Sequence, residues 1–484
     1  MTRSSVIQLV LIAFFLSIVA AAGWSKQRTH HAADYLIANR RLGGWLAAFG
    51  YVGSATNAWT VMLVSGVAFT SGLPAVWLAG GFVLGALLSH AYVAPRLRAM
   101  SAAQESATLT QFISADVGDR LQPMLVRSAA FIALLLLLLQ VAIVTRLAAE
   151  LLNTDSGYSI ATTIVLGVGT VVGCVLVGGI RAASLCDGIQ IVSVGMTALL
   201  LPIAGIFAIG GSDAFISGLY SVGATTGDWF GGKSGVVALA VAGGALGLGL
   251  AIPGQPHAMA RLIAVREARS ATLMRWIAPL MTCGVLLSAL VGGWSARVLY
   301  DGLQQPHLAL YALATRLLPP MVAAVFVVAI IAALMLSIAS PMLAMASQCA
   351  VDLRRSVALL SSGWARFALV VTALACTAAA LMIPFDPTKH AWLPLIALGA
   401  AFSPLLLVRL TGKRIRPGSA LGAMWSGFIL ALIFHALPDS PGDFLERVLP
   451  FVAALGIALS GGERRRNPDR ADRAQETVHD RIPI

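Results

Sequence analysis

Thirty-five consecutive residues, Leu317 to Val351, carry no charge between Arg316 and Asp352. A bilayer core of about 30 Å is crossed by about 20 helical residues, so this run commits its part of the chain to a membrane. Its middle reads Ala332-Ala333-Leu334-Met335-Leu336-Ser337-Ile338-Ala339-Ser340-Pro341. On a helix Ala333, Leu336, Ser337 and Ser340 fall at i, i+3, i+4 and i+7 and share one face. A small residue and two hydroxyls at bilayer depth, beside a proline that loosens the backbone ladder, can hold a desolvated cation if another broken helix faces them.

The rest of the chain follows the same solvent. With 58% hydrophobic and 11% charged residues among 484, and a mean hydropathy of +0.85, too few charges exist to cover a soluble surface. The expected class is an all-α polytopic membrane protein whose immediate partner is the lipid bilayer. Cuts at charged or Gly/Pro-rich loops give about thirteen spans, near 5–23, 43–72, 74–95, 124–150, 158–178, 183–210, 234–260, 272–297, 319–349, 363–383, 390–408, 417–437 and 446–462. Residues 1–23 also resemble a signal peptide, but the Lys26, Arg28, Arg40 and Arg41 that follow favour a retained helix with its N-terminus outside.

Alternating the loops between two sides then sorts the charges. One side receives 25 of the 33 Lys and Arg and the other six. The rich side is read as cytoplasmic, which predicts a bacterial inner (plasma) membrane protein with an outer N-terminus and a cytoplasmic C-terminus. Residues 463–484 are mixed in charge and are expected to be a disordered tail.

The formal charge of +12 does not indicate nucleic acid, because the basic residues are spread over short loops rather than gathered on one surface. No HEXXH, GxSxG, Walker loop or Cys/His cluster is present, so no enzyme is expected. The five cysteines lack metal-ligand spacing and are expected to pack helices.

Two spans are interrupted. Ala48 to Trp59 contains Gly50, Gly53, Ser54, Thr56 and Asn57, which either allow close helix packing or mark an unwound segment lining a cavity. Gly247 to His257 places Pro253 and Pro256 with Gly247, Gly249 and Gly254 in an apolar run, which no straight lipid-facing helix tolerates. These breaks lie five spans apart, and five crossings reverse orientation, as an inverted five-plus-five repeat requires. The expected units are 1–42 (first helix and loop), 43–210 and 234–408 (the two repeats), 409–462 (two added helices) and the tail.

Several short motifs stand out: Asp34-Tyr35-Leu36-Ile37-Ala38-Asn39-Arg40-Arg41-Leu42-Gly43, Trp59 with Ser65 to Gly72, Gly178-Gly179-Ile180-Arg181-Ala182 with Asp187 and Gln190, Gly254-Gln255-Pro256-His257 with Arg261, and Ala332-Ala333 through Asp352. In their order and spacing they resemble the sodium:solute symporters. The resemblance covers about 34–353 and extends to proline, acetate and pantothenate permeases. It implies a LeuT-like fold with one extra helix before the core and two after it, and secondary active transport of a small organic solute by alternating access.

It also implies a sodium site built from Gly53, Thr56, Ala333 and two hydroxyls on the uncharged run. Ser337 supplies one hydroxyl and Leu336 stands at the other position, so proton coupling or uncoupled movement stays open beside sodium. Asp187 with Ser340 is a candidate second cation or proton site, the alternatives for Asp187 being a helix-start carboxylate or local pairing with Arg181. Solute candidates are Ser54, Asn57, Gln140, Leu136, Leu248, Ile252 and Gln255. Leu136, Leu248 and Ile252 stand where the family's proline carriers resemble an aromatic pocket, which argues against proline. A membrane sensor is the rival function. The identity of the solute and the oligomeric state are not written in these motifs.

Overall fold

In the computed structural model, residues 3–29, 31–115, 121–223, 225–266, 268–300, 302–352, 362–383, 390, 392–438 and 440–464 are described. The tail beyond Arg464 lies outside them. Ten helices there are long and apolar enough to cross a membrane, or eleven with one bent pair. Two further spans bring the total to the expected thirteen. Helix α15 (Phe444–Ser460) is apolar but 17 residues long, and helix α6 (Ile160–Ile209) holds two spans.

The 50 residues of α6 would reach about 75 Å if straight, more than twice a bilayer core. They do not continue straight, because Gly179 breaks the helix at φ 57°, ψ −137°. Only glycine accepts that backbone without strain, and a Cβ there would also meet the Tyr35 backbone.

Both expected breaks are present. Helices α2 (Gly44–Ala55) and α3 (Ala58–Ser71) meet at 49° around Thr56 and Asn57. Helices α7 (Gly235–Ala251) and α8 (Pro256–Ala264) are joined by a single tight turn at Ile252–Gly254. The uncharged run breaks as well, into α10 (Pro320–Leu336) and α11 (Ala339–Ser347). Pro341 lacks the amide that would bond the Ser337 carbonyl four residues back, and the ladder opens there.

Glycine permits a close helix crossing. Helix α4 (Ala75–Leu88) packs on α7 with Gly81 and Gly85 facing Ala245 and Gly249; a Cβ on Gly81 would lie 2.7 Å from the Ala245 carbonyl oxygen. Small residues four apart on both helices let the backbones approach.

Loops assigned to one side by charge also meet in space. Leu42 pairs with Val265, Arg98 donates to the carbonyls of Val265 and Arg266, and Arg40 donates to those of Ser101, Ser106 and Ile263. Strand β1 (Lys413–Ile415) pairs antiparallel with β2 (Gly462–Arg464) on that side. Glu463 and Arg464 therefore belong to a strand, which corrects the expectation that disorder begins at 463. On the other side Leu73 bonds Thr226 and Trp77 bonds Trp229. All five cysteines are free thiols.

Candidate functional site

A broken helix exposes backbone groups that its own ladder no longer serves, and buried groups of this kind need partners. At the first break Asn57 is the N-cap of α3, its Oδ1 accepting from Thr60 N at 3.0 Å and from Thr60 Oγ1 at 3.2 Å. The Ser54 carbonyl, left over at the end of α2, accepts from His257 Nε2 at 3.2 Å. His257 begins α8, so one bond joins the two breaks. Ser54 Oγ turns back to Tyr51 O.

At the second break Gln255 Nε2 donates to Ala251 O, the end of α7, and to Leu395 O of helix α13 (Leu393–Leu410), each at 3.0 Å. Ser54, Asn57 and Gln255 are all buried; Asn57 caps α3, Gln255 bonds the end of α7, and Ser54 Oγ bonds back within α2. Three of the residues expected to meet solute thus bond to backbone at the breaks.

Toward the charge-rich side lies a buried ionic cluster. Arg261 of α8 donates from Nη2 to Asp187 Oδ2 of α6 at 2.8 Å, and both side chains are at most 1% exposed. The same Nη2 contacts Ser340 Oγ of α11, and Ser340 donates to Asp187 Oδ2 at 2.6 Å. Arg261 Nη1 donates to His257 O at 2.7 Å. Asp187 Oδ1 and Arg261 Nε have no hydrogen-bond partner. Three helices and the second break are tied by one guanidinium, which matches a carboxylate better than an ammonium would.

The cluster corrects the local alternative for Asp187. Arg181 does not pair with it; its Nη2 sits 3.7 Å from Asp34 and donates to Ala38 O, because the Gly179 turn directs it toward the segment before α2. Ser340 and Asp187 are bonded to each other, and Arg261, a motif residue to which the sequence assigned no role, contacts both.

The expected sodium residues are placed less simply. Gly53 packs on Asp187 so closely that a Cβ would lie 2.8 Å from the Asp187 Cβ, and its carbonyl accepts from Gln190 Nε2 at 3.2 Å. Ser337 Oγ donates to Leu334 O at 2.6 Å, the Ala333 carbonyl accepts from Ser337 N, and Thr56 N donates to Val52 O. Leu336 is fully buried. Among the remaining solute candidates, Leu136 and Leu248 are buried, Ile252 Cγ1 lies against Gly85 of α4, and Gln140 Oε1 has no partner on helix α5 (Gln122–Ser156). Arg146 pairs with Glu150 at 2.6 Å.

A small open cleft reaches Arg261 from the charge-rich side, lined among others by Leu36, Thr108, Pro256, Ser347 and Gln348. None of the solute candidates lines it. On the opposite side Trp59 meets His307 edge to face at 5.7 Å, and Trp294 Nε1 donates to Gly72 O at 2.8 Å. The two breaks lie between these contacts and the Asp187–Arg261–Ser340 cluster.

Comparison with known proteins agrees with this architecture. Residues 35–429 match the model of the Sodium:solute symporter family. The high-affinity proline transporter PutP of Bacillus subtilis is 27% identical over 452 residues, covering 90% of this chain and 93% of that protein. The osmoregulated proline transporter OpuE of the same organism is 26% identical, with 92% and 93% covered. Among solved structures, a Na+-coupled sialic acid symporter in a substrate-bound outward-open state superposes with a TM-score of 0.77 at 18% identity, covering 95% of this chain and 99% of that one.

Proposed function

We propose a mechanism from one premise: the chain belongs to the sodium:solute symporter family. It is a multi-pass membrane protein and a secondary active transporter, not an enzyme. The observation that supports the mechanism is the bond from His257 to Ser54, which joins the two broken spans.

In this reading a small organic solute binds between the breaks, where half-helix ends supply N–H groups for a carboxylate. Asn57 and Gln140 offer side-chain polar groups there, and Leu136, Leu248 and Ile252 set an apolar wall. Proline, carried by the two curated relatives, is the first solute to test, and the apolar wall argues that a different solute binds better.

The cytoplasmic route opens when α8 moves and Arg261 leaves Asp187 and Ser340. A buried carboxylate stripped of its partner is costly, so the transported cation takes the guanidinium's place there. The free Asp187 Oδ1 and the Ser340 hydroxyl support this assignment, as hard-oxygen donors suited to Na+ or, through the carboxylate alone, to a proton. The set of Gly53, Thr56, Ala333 and Ser337 is weaker, since Leu336 replaces a hydroxyl and the Gly53 carbonyl already serves Gln190. The charge-rich face is assigned to the cytoplasm of a bacterial inner membrane.

The test is uptake into proteoliposomes, with the solute first found by thermal shift in sodium and in a non-coordinating cation. A sodium gradient should drive accumulation, and Asp187→Asn should abolish the drive while leaving sodium-independent solute binding. Accumulation driven by a pH gradient alone would move the assignment to a proton, and unchanged sodium coupling in Asp187→Asn would return it to Ser337.

A further inference from the structure

A second buried acid lies beyond the Asp187–Arg261–Ser340 cluster, and the transport mechanism does not use it. Asp352 ends the uncharged run, on a wide helical turn over Gln348–Asp352 whose backbone bonds run from i to i+5. Such turns recur at functional sites. The residue is 4% exposed, and its hydrogen-bond partners among the described residues are two hydroxyls. Thr108 Oγ1 lies 2.8 Å from Asp352 Oδ1, and Thr110 Oγ1 contacts Oδ2. The two hydroxyl oxygens are also 2.9 Å from each other.

The threonines belong to the loop between α4 and α5. Thr108 caps a short helix, Leu109–Ser114, its Oγ1 accepting from Gln111 N at 3.1 Å, while Gln111 Oε1 accepts from Ala107 N at 2.9 Å. This reciprocal cap fixes the loop and leaves the Thr108 hydroxyl hydrogen free to donate. The ring of Asp352, Thr108 and Thr110 then has three oxygen–oxygen contacts, and each needs one hydrogen. The two hydroxyls supply two. With Asp352 ionised, one contact sets lone pair against lone pair. With Asp352 protonated, its O–H supplies the third hydrogen, and every contact runs donor to acceptor around the ring.

We propose that Asp352 is a proton-binding site, and that its proton holds the charge-rich mouth of the transport route closed. The charged groups on the elements around it are placed elsewhere. Arg366 of helix α12 (Ser362–Met382) donates to Leu176 O, Arg409 of α13 contacts Ala115 O and lies over the Phe112 ring, and Arg261 is bonded to Asp187 and Ser340. Arg127 of α5 and Glu105 of the loop are exposed, and the Cys349 thiol shares the turn with Asp352. Arg354 and Arg355, next in sequence, lie outside the described residues.

A buried carboxylate with no cation beside it is costly. Loss of the proton therefore drives hydration of Asp352, and water reaches it when the loop leaves the end of the uncharged run. Ala107, Thr108 and Leu109 of that loop, with Ser347 and Gln348 of the run, line the cleft that reaches Arg261. Gln348 Oε1 has no partner and gives entering water an acceptor. Opening the ring thus widens the way to the ionic cluster, whichever ion Asp187 takes.

Infrared difference spectra of the purified full chain read the proton directly. At neutral pH the carbonyl stretch of a protonated carboxyl should be present in the native protein, lost in Asp352→Asn, shifted in Thr110→Val and retained in Asp187→Asn. Absence of the band from the native protein, an unshifted band in Thr110→Val, or its loss in Asp187→Asn would overturn the site. The gate is read by maleimide labelling of Ala260→Cys, in the cleft, on a cysteine-free background. Its rate at each pH is divided by the rate of the same thiol in Asp352→Asn, whose amide N–H replaces the acid O–H, so that ionisation of the thiol cancels. The ratio should rise with pH, at most about tenfold per unit, the limit for one released proton. A ratio that stays flat would overturn the proton's hold on the mouth.

Discussion

Asp187 and Arg261 are two charges in apolar surroundings that are tolerable only together. Removing one partner of a buried pair leaves an uncompensated charge and costs about 3–5 kcal/mol, whereas replacing both with neutral groups costs far less. Arg261→Gln and Asp187→Asn should each lower the thermal midpoint in detergent, and the double variant should be more stable than either. Additive losses in the double variant would show that the pair does not act as a unit. The sequence exposed Asp187 as an isolated acid in the first repeat and Ser340 as its companion. It did not expose Arg261, which lies 74 residues away with no periodicity relating the two. The available signal was an arginine one turn after His257, past a double-proline break, in need of an acid at the same depth. The backbone bonds of Asn57 and Gln255 at the breaks were equally hidden, because the residue types that bind solute are also those that satisfy loose helix ends.

At the scale of elements, the spans and breaks were legible because lipid leaves few alternatives to helix. Less legible was how the helices meet, since that rests on backbone contact at glycines. Gly179 and Gly157 both have positive φ, 57° and 72°, but a Cβ on Gly179 meets the Tyr35 backbone and one on Gly157 meets nothing. Gly157→Ala should therefore cost only the conformational penalty, about 1–2 kcal/mol. Gly179→Ala should cost clearly more, because the segment holding Tyr35 must move and Arg181 then loses Ala38 O. Detergent melting curves of the two variants decide it; equal losses would mean that the turn between the two spans of α6 has room to spare. A parallel expectation concerns α4 and α7. Gly85→Leu should separate them and unfold the chain, since Gly249 and Ile252 occupy the space.

Across the whole molecule, two independent signals agree on which loops share a face. Counting charges places 26–41, 96–120, 261–275, 409–416 and the tail together, and the folded chain joins them through Leu42 with Val265, Arg40 with Ser101, and β1 with β2. Spatial pairing cannot say which face is cytoplasmic, because hydrogen bonds carry no information about the membrane's two sides. Charge does, through the bias of Lys and Arg toward the side from which loops are not translocated. The combination yields a sharp expectation for single cysteines on a cysteine-free background: Lys413→Cys labels with an impermeant maleimide only after cells are opened, and Lys233→Cys labels in intact cells. Were both to label in intact cells, the number of crossings between residues 233 and 413 would be even rather than odd. That parity would undo the second half of the repeat, because the five crossings expected between residues 234 and 408 are what return the chain to the charge-rich side.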